Sequence, residues 1–191
     1  MIIEKEPIHG AESVLPFDFT RDVPPNAWKW LLQYGLSYQY WKNSVGYSPY
    51  HERLVFTVGN PHAFSIGRYV GSHPETSRKW WAFGNVHKHA EVIDQGNIAK
   101  LVLVEDIVSA HKVAQVAAAM PLFGVEVHPC HQLAAQIDDR PLVLWLDHDQ
   151  SENTYRKATR LMAVTGKKVE VVVTPKDPKE YEVSTIQRML E

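Results

Sequence analysis

Hydrophobic and polar positions fall into two regimes along this chain, and the change comes near residue 100. From Lys100 onward, short apolar runs alternate with stretches at helical spacing. Leu101-Val102-Leu103-Val104 and Leu142-Val143-Leu144-Trp145-Leu146 are runs of the kind expected for parallel strands buried on both faces. Lys168–Thr174 predicts a third strand of this sort, and Val125–His128 a shorter one. Between them, Ile107–Met120 sets Val108, Val113, Val116 and Ala117 at helix spacing. Cys130–Gln136 and Ser151–Val164 predict two more helices, and a last one begins near Pro178. Short buried strands alternating with helices predict an α/β fold, a parallel sheet flanked by helices.

Before residue 100 the pattern is mixed. Residues 1–23 show no period and are read as an irregular arm. Pro24-Pro25 opens a short helix that runs to Tyr34 and stops at Gly35, with proline in the first turn and glycine past the end. A second short helix is expected around Ser37–Asn43. Arg53–Val58 reads as a strand, Gly59-Asn60-Pro61 as a turn, Ala63–Val70 as the returning strand and Lys79–Phe83 as a further one. The expected organisation is an arm over 1–23, a small mixed α+β subdomain over 24–97 and an α/β domain over 98–191.

Composition narrows the class. With 191 residues, 45% of them hydrophobic, the chain can bury a substantial core. Its one cysteine excludes a disulfide framework or a paired-cysteine zinc ribbon within this polypeptide. No apolar run approaches the roughly 20 residues that span a bilayer. The opening MIIEKEPIHG lacks the basic-then-apolar pattern of a signal peptide. The expectation is a cytoplasmic protein with no membrane partner.

A formal charge of −2 argues against a nucleic-acid partner only until the chain is divided. Residues 1–20 carry −3, residues 21–90 carry +5 and residues 91–191 carry −4. The basic segment also holds 14 of the 20 Phe, Trp and Tyr residues. Basic and aromatic side chains together suit a lobe that grips a single strand, although many of these rings also serve a small core.

In open parallel sheets, functional groups gather at the carboxyl ends of the strands. There the first strand delivers Glu105-Asp106, the next Asp147-His148-Asp149, and the third leads to Asp177. Hard divalent cations bind through one or two carboxylates plus water and substrate phosphate. An acidic edge beside a basic lobe therefore points to metal-assisted chemistry on a phosphodiester or nucleotide. The alternative is that each acid caps the helix that follows it.

These residues resemble the Toprim domain of bacterial and phage primases, topoisomerases and some nucleases. Leu101–Glu105 resembles its first motif, Trp145–Asp149 its Asp-x-Asp motif, and Lys176-Asp177-Pro178 its third. Upstream, Arg53–Val58 and Phe64–Arg68 resemble the paired strands of the primase N-terminal subdomain, and Arg78-Lys79-Trp80-Trp81 its basic segment. The resemblance covers residues 24–190. It implies the catalytic (RNA-polymerase) core of a phage-type primase, which makes short primers on single-stranded DNA from nucleoside triphosphates. It further implies Mg²⁺, with Mn²⁺ able to substitute, held by Glu105, Asp147 and Asp149 with Asp177 completing the edge. Arg53, Arg68, Arg78, Lys79 and Lys88 are then expected on template or nucleotide phosphates, with Arg68 and Lys79 matching the motifs best.

The chain departs from the family pattern at three positions. Asp106 stands where glycine usually follows the first Glu, Ser109 where an Asp usually stands, and Lys179 where a second acid is often found after the third motif. Two other functions stay open: a Toprim nuclease using Mg²⁺-activated water, and a non-catalytic nucleic-acid-binding accessory protein. With one cysteine and an end at Glu191, the chain is expected to carry neither the zinc module nor the helicase that many such primases have. Template recognition would then come from its own basic lobe, or from a zinc-module protein or replicative helicase in trans.

Ten histidines are many for this length. His128-Pro129-Cys130-His131 and His87-Lys88-His89 invite a zinc reading, but tetrahedral zinc wants four spaced ligands, usually with cysteine pairs. The expectation is no zinc, with ordinary turn and surface histidines and an inert Cys130.

Overall fold

Small side chains decide how the first sheet is built. The computed structural model, which describes residues 14–59, 63–96, 99–147 and 151–191, divides into two units. One comprises the chain to Trp30 with Tyr38–Val86, the other Leu31–Ser37 with His87–Glu191. Helix α1 (Pro25–Leu32) and the single turn α2 (Tyr38–Trp41) precede strands β1 (Val45–Ser48), β2 (Arg53–Val58), β3 (Phe64–Tyr69) and β4 (Trp80–Phe83). The four strands form an antiparallel sheet in the order β1-β2-β3-β4.

Strand β1 is not among the predicted strands, because Gly46, Ser48 and Pro49 read as a turn. It pairs along β2 from Val45↔Phe56 to Ser48↔Arg53. One face of the sheet buries Leu54, Phe56, Phe64 and Ile66, with Trp41 edge-on to Phe56 at 5.7 Å between ring centres. The opposite face carries Gly46, Ser48, Ser65 and Gly67 beside Arg53, Val55 and Tyr69, and the end of the arm lies against its small residues. Ser65 Oγ donates to the Val14 carbonyl at 2.6 Å, and Ser48 Oγ donates to Asp18 Oδ1 at 2.7 Å. A Cβ at Gly46 would stand 2.3 Å from the Phe19 ring, so only glycine admits that ring. From residue 14 on, the arm is irregular yet integral to this face.

The second unit is the predicted parallel sheet. Strands β5 (Leu101–Val104), β6 (Ala118–Pro121), β7 (Leu142–Trp145) and β8 (Val169–Val171) run in the order β6-β5-β7-β8, all parallel. Helices α3 (Ile107–Val113), α4 (Pro129–Ile137), α5 (Ser151–Thr165) and α6 (Val183–Leu190) complete the layers. Alternation along each strand sends successive residues to opposite faces. Leu101, Leu103, Leu142 and Leu144 pack in one cluster with Ala135 of α4 and Leu161 of α5. Val102, Val104, Val143 and Trp145 pack in another with Val113 of α3 and Ile186 of α6.

The long helix expected over Ile107–Met120 is cut short. Helix α3 ends at Val113, tightening through Gln115 and Val116 N–H bonds to the carbonyls of Lys112 and Val113. Residues 118–121 then pair with β5, from Leu101↔Ala118 to Val104↔Pro121. Alanine favours helices in isolation, but here the sheet overrides it: β6 is buried throughout, and its outer side is covered by Ile93, which bridges to Ala119. The strand expected at Val125–His128 is absent, and those residues lead into α4. Lys112, 3% exposed, donates through Nζ to the Tyr34 carbonyl at 2.6 Å. Among the described residues no helix is long and apolar enough to cross a membrane.

Candidate active site

Strands β5 and β7 are adjacent and in register, Val104 opposite Trp145. Glu105 and Asp147 therefore leave the sheet at the same edge. The third acid reaches that edge through a side-chain bond: the Trp145 indole N–H donates to Thr174 Oγ1 at 2.7 Å, and Thr174 Oγ1 donates to the Lys176 carbonyl at 2.9 Å. This holds the turn after β8 against the end of β7. Asp177 follows, opening a 3₁₀ turn over Pro178–Glu180, with its N–H donating to Glu180 Oε2 at 3.1 Å.

Crowding three carboxylates has an electrostatic consequence. The Asp147 carboxyl is pushed up to about 8, first by burial, then by the charges of Glu105 and Asp177 and a hydrogen bond with Asp177; Lys179 opposes the shift. Asp147 Oδ1 is buried with no hydrogen-bond partner. Asp149 and His148 lie outside the described residues, and among those described no three His, Cys, Asp or Glu side chains form a group able to hold a metal ion. A hard cation needs only one or two carboxylates, with water and phosphate completing its shell. The unpartnered Asp147 oxygen amid surplus negative charge fits such a cation.

The three departures from the family pattern are parts of one network. Asp106 caps α3: Oδ1 accepts from the Val108 and Ser109 N–H groups at 2.9 and 3.1 Å. Its Oδ2 accepts from Ser109 Oγ at 2.9 Å and from Lys179 Nζ at 2.8 Å. Lys179 Nζ also donates to Asp177 Oδ2 and lies 5.9 Å from the centre of the Tyr34 ring. Burial alone would lower the Lys179 pKa, but Asp106 and Asp177 outweigh it and hold the ammonium charged. The helix-cap alternative thus describes Asp106 and, at the start of its 3₁₀ turn, Asp177, while Glu105 and Asp147 are otherwise placed.

Arg68 and Arg53 lie on opposite faces of the antiparallel sheet. Arg68 on β3 stands opposite Trp80, its guanidinium carbon 5.0 Å from the Trp30 ring centre and 5.5 Å from that of Trp80. Arg53 is opposite Tyr69 on the other face and only 5% exposed. It donates to the Gly67 carbonyl at 3.2 Å and lies over Tyr69 and Trp81, at 5.6 and 5.7 Å. A Cβ at Gly67 would stand 2.9 Å from Arg53 Cδ, so the glycine makes room for this side chain. Arg78 covers Trp81 at 5.6 Å. Arg78, Lys79 and Lys88 are exposed, Lys88 on a 3₁₀ turn of the second unit.

Three of the histidines, His87, His128 and His131, come together in the second unit. The His87 and His128 ring centres are 4.1 Å apart, and those of His128 and His131 5.9 Å apart. His131 is fully buried, accepts through Nδ1 from the His128 N–H at 3.2 Å, and has its pKa lowered to about 4 by burial and then by His128 and His87. Cys130 is half-buried, and its thiol pKa is raised chiefly by burial.

No protein-family model and no curated sequence matches this chain. Among solved structures it is similar to the crystal structure of the Aquifex aeolicus primase (zinc binding and RNA polymerase domains), with a TM-score of 0.70 at 14% identity. The match covers 87% of this chain and 55% of that one. The fold is primase-like. Within that primase-like fold, the parallel sheet carries the acidic edge and the antiparallel sheet carries the arginine–tryptophan stacks.

Proposed function

We propose that the chain is the catalytic core of a Toprim-type DNA primase of the phage kind, making short oligonucleotide primers on single-stranded DNA. What carries the reading is Asp147: a carboxylate with a buried, unpartnered oxygen, at the end of a parallel strand beside Glu105 and Asp177. Such an edge costs stability unless a cation occupies it, and proteins retain costs of this kind at functional sites. The likeness in fold to a primase supports the same reading.

Glu105, Asp147 and Asp149 would hold Mg²⁺ or Mn²⁺, with Asp177 at the margin. When bound, the ion would neutralise triphosphate charge and lower the pKa of the attacking 3′-hydroxyl. The chain's own residues position the reactants. Thr174 and Trp145 fix the turn that leads to Asp177, and Asp106 fixes the start of α3 next to Glu105. Lys79 and Arg78 are exposed and available to template phosphates, as is Lys88; Arg68 is preset in direction by Trp30 and Trp80. Arg53, buried under Tyr69 and Trp81, acts on this reading by ordering that face.

The test is extension on single-stranded DNA with labelled ribonucleotides and Mg²⁺ or Mn²⁺. The expected result is short oligonucleotides, abolished by Asp147→Asn. Shortening of the DNA would replace the primase reading with that of a nuclease. Binding without turnover in either direction would replace it with an accessory role.

A further inference from the structure

The acidic edge has a resident positive charge. Lys179 is 9% exposed and its Nζ joins Asp106 to Asp177. A carboxylate has about four lone-pair positions, and on Asp106 all are taken: two by backbone N–H groups, one by Ser109 Oγ and one by Lys179 Nζ. Asp106 therefore has no oxygen left for a metal. Asp177 Oδ2 is likewise engaged by Lys179. Of the four described acids at this edge, Asp106 and Asp177 share this ammonium, and Glu105 and Asp147 make up the other half, joined to the first by a hydrogen bond between Asp147 and Asp177.

We infer that Lys179 is a built-in cation which occupies the Asp106–Asp177 half of the edge, so that the site takes one divalent ion, on the Glu105–Asp147 half, rather than a pair. Mutual repulsion reinforces the division. An ammonium already between two carboxylates both consumes their lone pairs and opposes a second +2 charge a few ångströms away, where interior charges are weakly screened. Lys179 is on this account a positioning residue: it holds two carboxylates in place and sets how many ions the others receive. The inference rests on the metal reading of the same edge, but not on which reaction the ion serves.

The experiment is a Mn²⁺ titration of the full chain without nucleotide or DNA, with free ion read by electron paramagnetic resonance. The wild type is expected to bind one Mn²⁺. Lys179→Gln, which removes the charge and releases Asp177, is expected to bind two, or to bind one at least tenfold more tightly. Lys179→Arg keeps the charge and should stay at one, with affinity close to the wild type. Two ions of similar affinity in the wild type overturn the inference, whatever the variants do, so it stays falsifiable even if Lys179→Gln fails to fold. Wild-type titration for Lys179→Gln, a gain in Lys179→Arg equal to that in Lys179→Gln, or no Mn²⁺ bound at all would overturn it too. A chain that binds one Mn²⁺ yet makes no primers would sink the proposed function and leave this inference standing.

Discussion

Trp145 and Thr174, separated by 29 positions in sequence, are joined by a buried hydrogen bond from the indole N–H to Oγ1 at 2.7 Å. Through that bond the end of β7, which precedes Asp147, holds the turn that precedes Asp177. Thr174→Val keeps the shape but leaves a buried N–H without an acceptor, at a cost of about 1–3 kcal/mol. Denaturant unfolding should show that loss, and Thr174→Ser should recover most of it. A valine variant as stable as the wild type would mean that the turn is held by other interactions.

The carboxyl of Asp147 makes metal-free stability depend on pH in an unusual direction. Unfolded, it titrates near 3.8; folded, at about 8. Between those values the folded chain keeps a proton that the unfolded chain has released, so stability falls as pH rises. In chelator-treated protein, Tm should drop from pH 5 to pH 8. Asp147→Asn should flatten the drop and raise Tm at pH 8, by about 2–4 °C for each kcal/mol relieved. Added Mn²⁺ should raise the Tm of the wild type and not that of the variant. A variant no more stable than the wild type at pH 8 would show that the edge is not strained by charge.

His131 works in the opposite sense. Its folded pKa of about 4 lies below the ordinary 6.5, so the unfolded chain binds the extra proton in between. The stability it contributes is complete above pH 6.5 and lost as pH falls towards 4. His131→Asn offers an amide oxygen in place of Nδ1 to the His128 N–H and cannot take up the proton. The difference in stability between wild type and variant, followed by chemical denaturation from pH 7 to pH 4, should close or reverse. A difference constant over that range would remove His131 from the acid response.

Arg53 and the exposed pair Arg78 and Lys79 should separate in binding experiments. Alanine at Arg78 or Lys79 is expected to weaken single-stranded DNA binding and to reduce the log–log salt slope by about 0.7 for each phosphate no longer neutralised. Arg53→Ala removes a donor to the Gly67 carbonyl and a cation stacked on Tyr69 and Trp81. It should cost about 1–3 kcal/mol of stability and leave the salt slope nearly unchanged. Fluorescence anisotropy over a salt series, with thermal denaturation alongside, distinguishes the two outcomes.

Much of the parallel sheet was legible because burial on both faces writes a continuous apolar run, as at Leu101–Val104 and Leu142–Trp145. The error at 118–121 has a physical origin: Ala117-Ala118-Ala119 has the local preference of a helix, and only the free edge of β5 makes a strand of it. Strand β1 was hidden for the reverse reason. Gly46 is there to admit the Phe19 ring, a long-range approach that looks locally like turn punctuation. At the site, strand ends exposed Glu105 and Asp147 to reading, since their position follows from topology alone, whereas Asp177 stands six residues past the end of β8. The Asp106–Lys179 pair, 73 residues apart, and the Trp145–Thr174 bond follow from tertiary proximity, which no spacing encodes. The burial of Arg53 was equally out of reach, because charge in a sequence carries no record of the aromatic faces above it.

The Lys112 ammonium on the Tyr34 carbonyl has a consequence for how such a protein is taken apart or recombined. The parallel-sheet unit reclaims a short stretch from ahead of the antiparallel sheet, which makes residues 38–86 an insertion rather than a neighbour in line. Exchanging that sheet together with the arm packed on it requires three crossover points, near Trp30, Ser37 and His87, because the chain to Trp30 belongs to the same unit. A single cut ahead of residue 98 would strand a buried ammonium with its acceptor on the discarded piece. Joining Ser37 to His87 through a linker is the excision that keeps the donor and the acceptor in one chain.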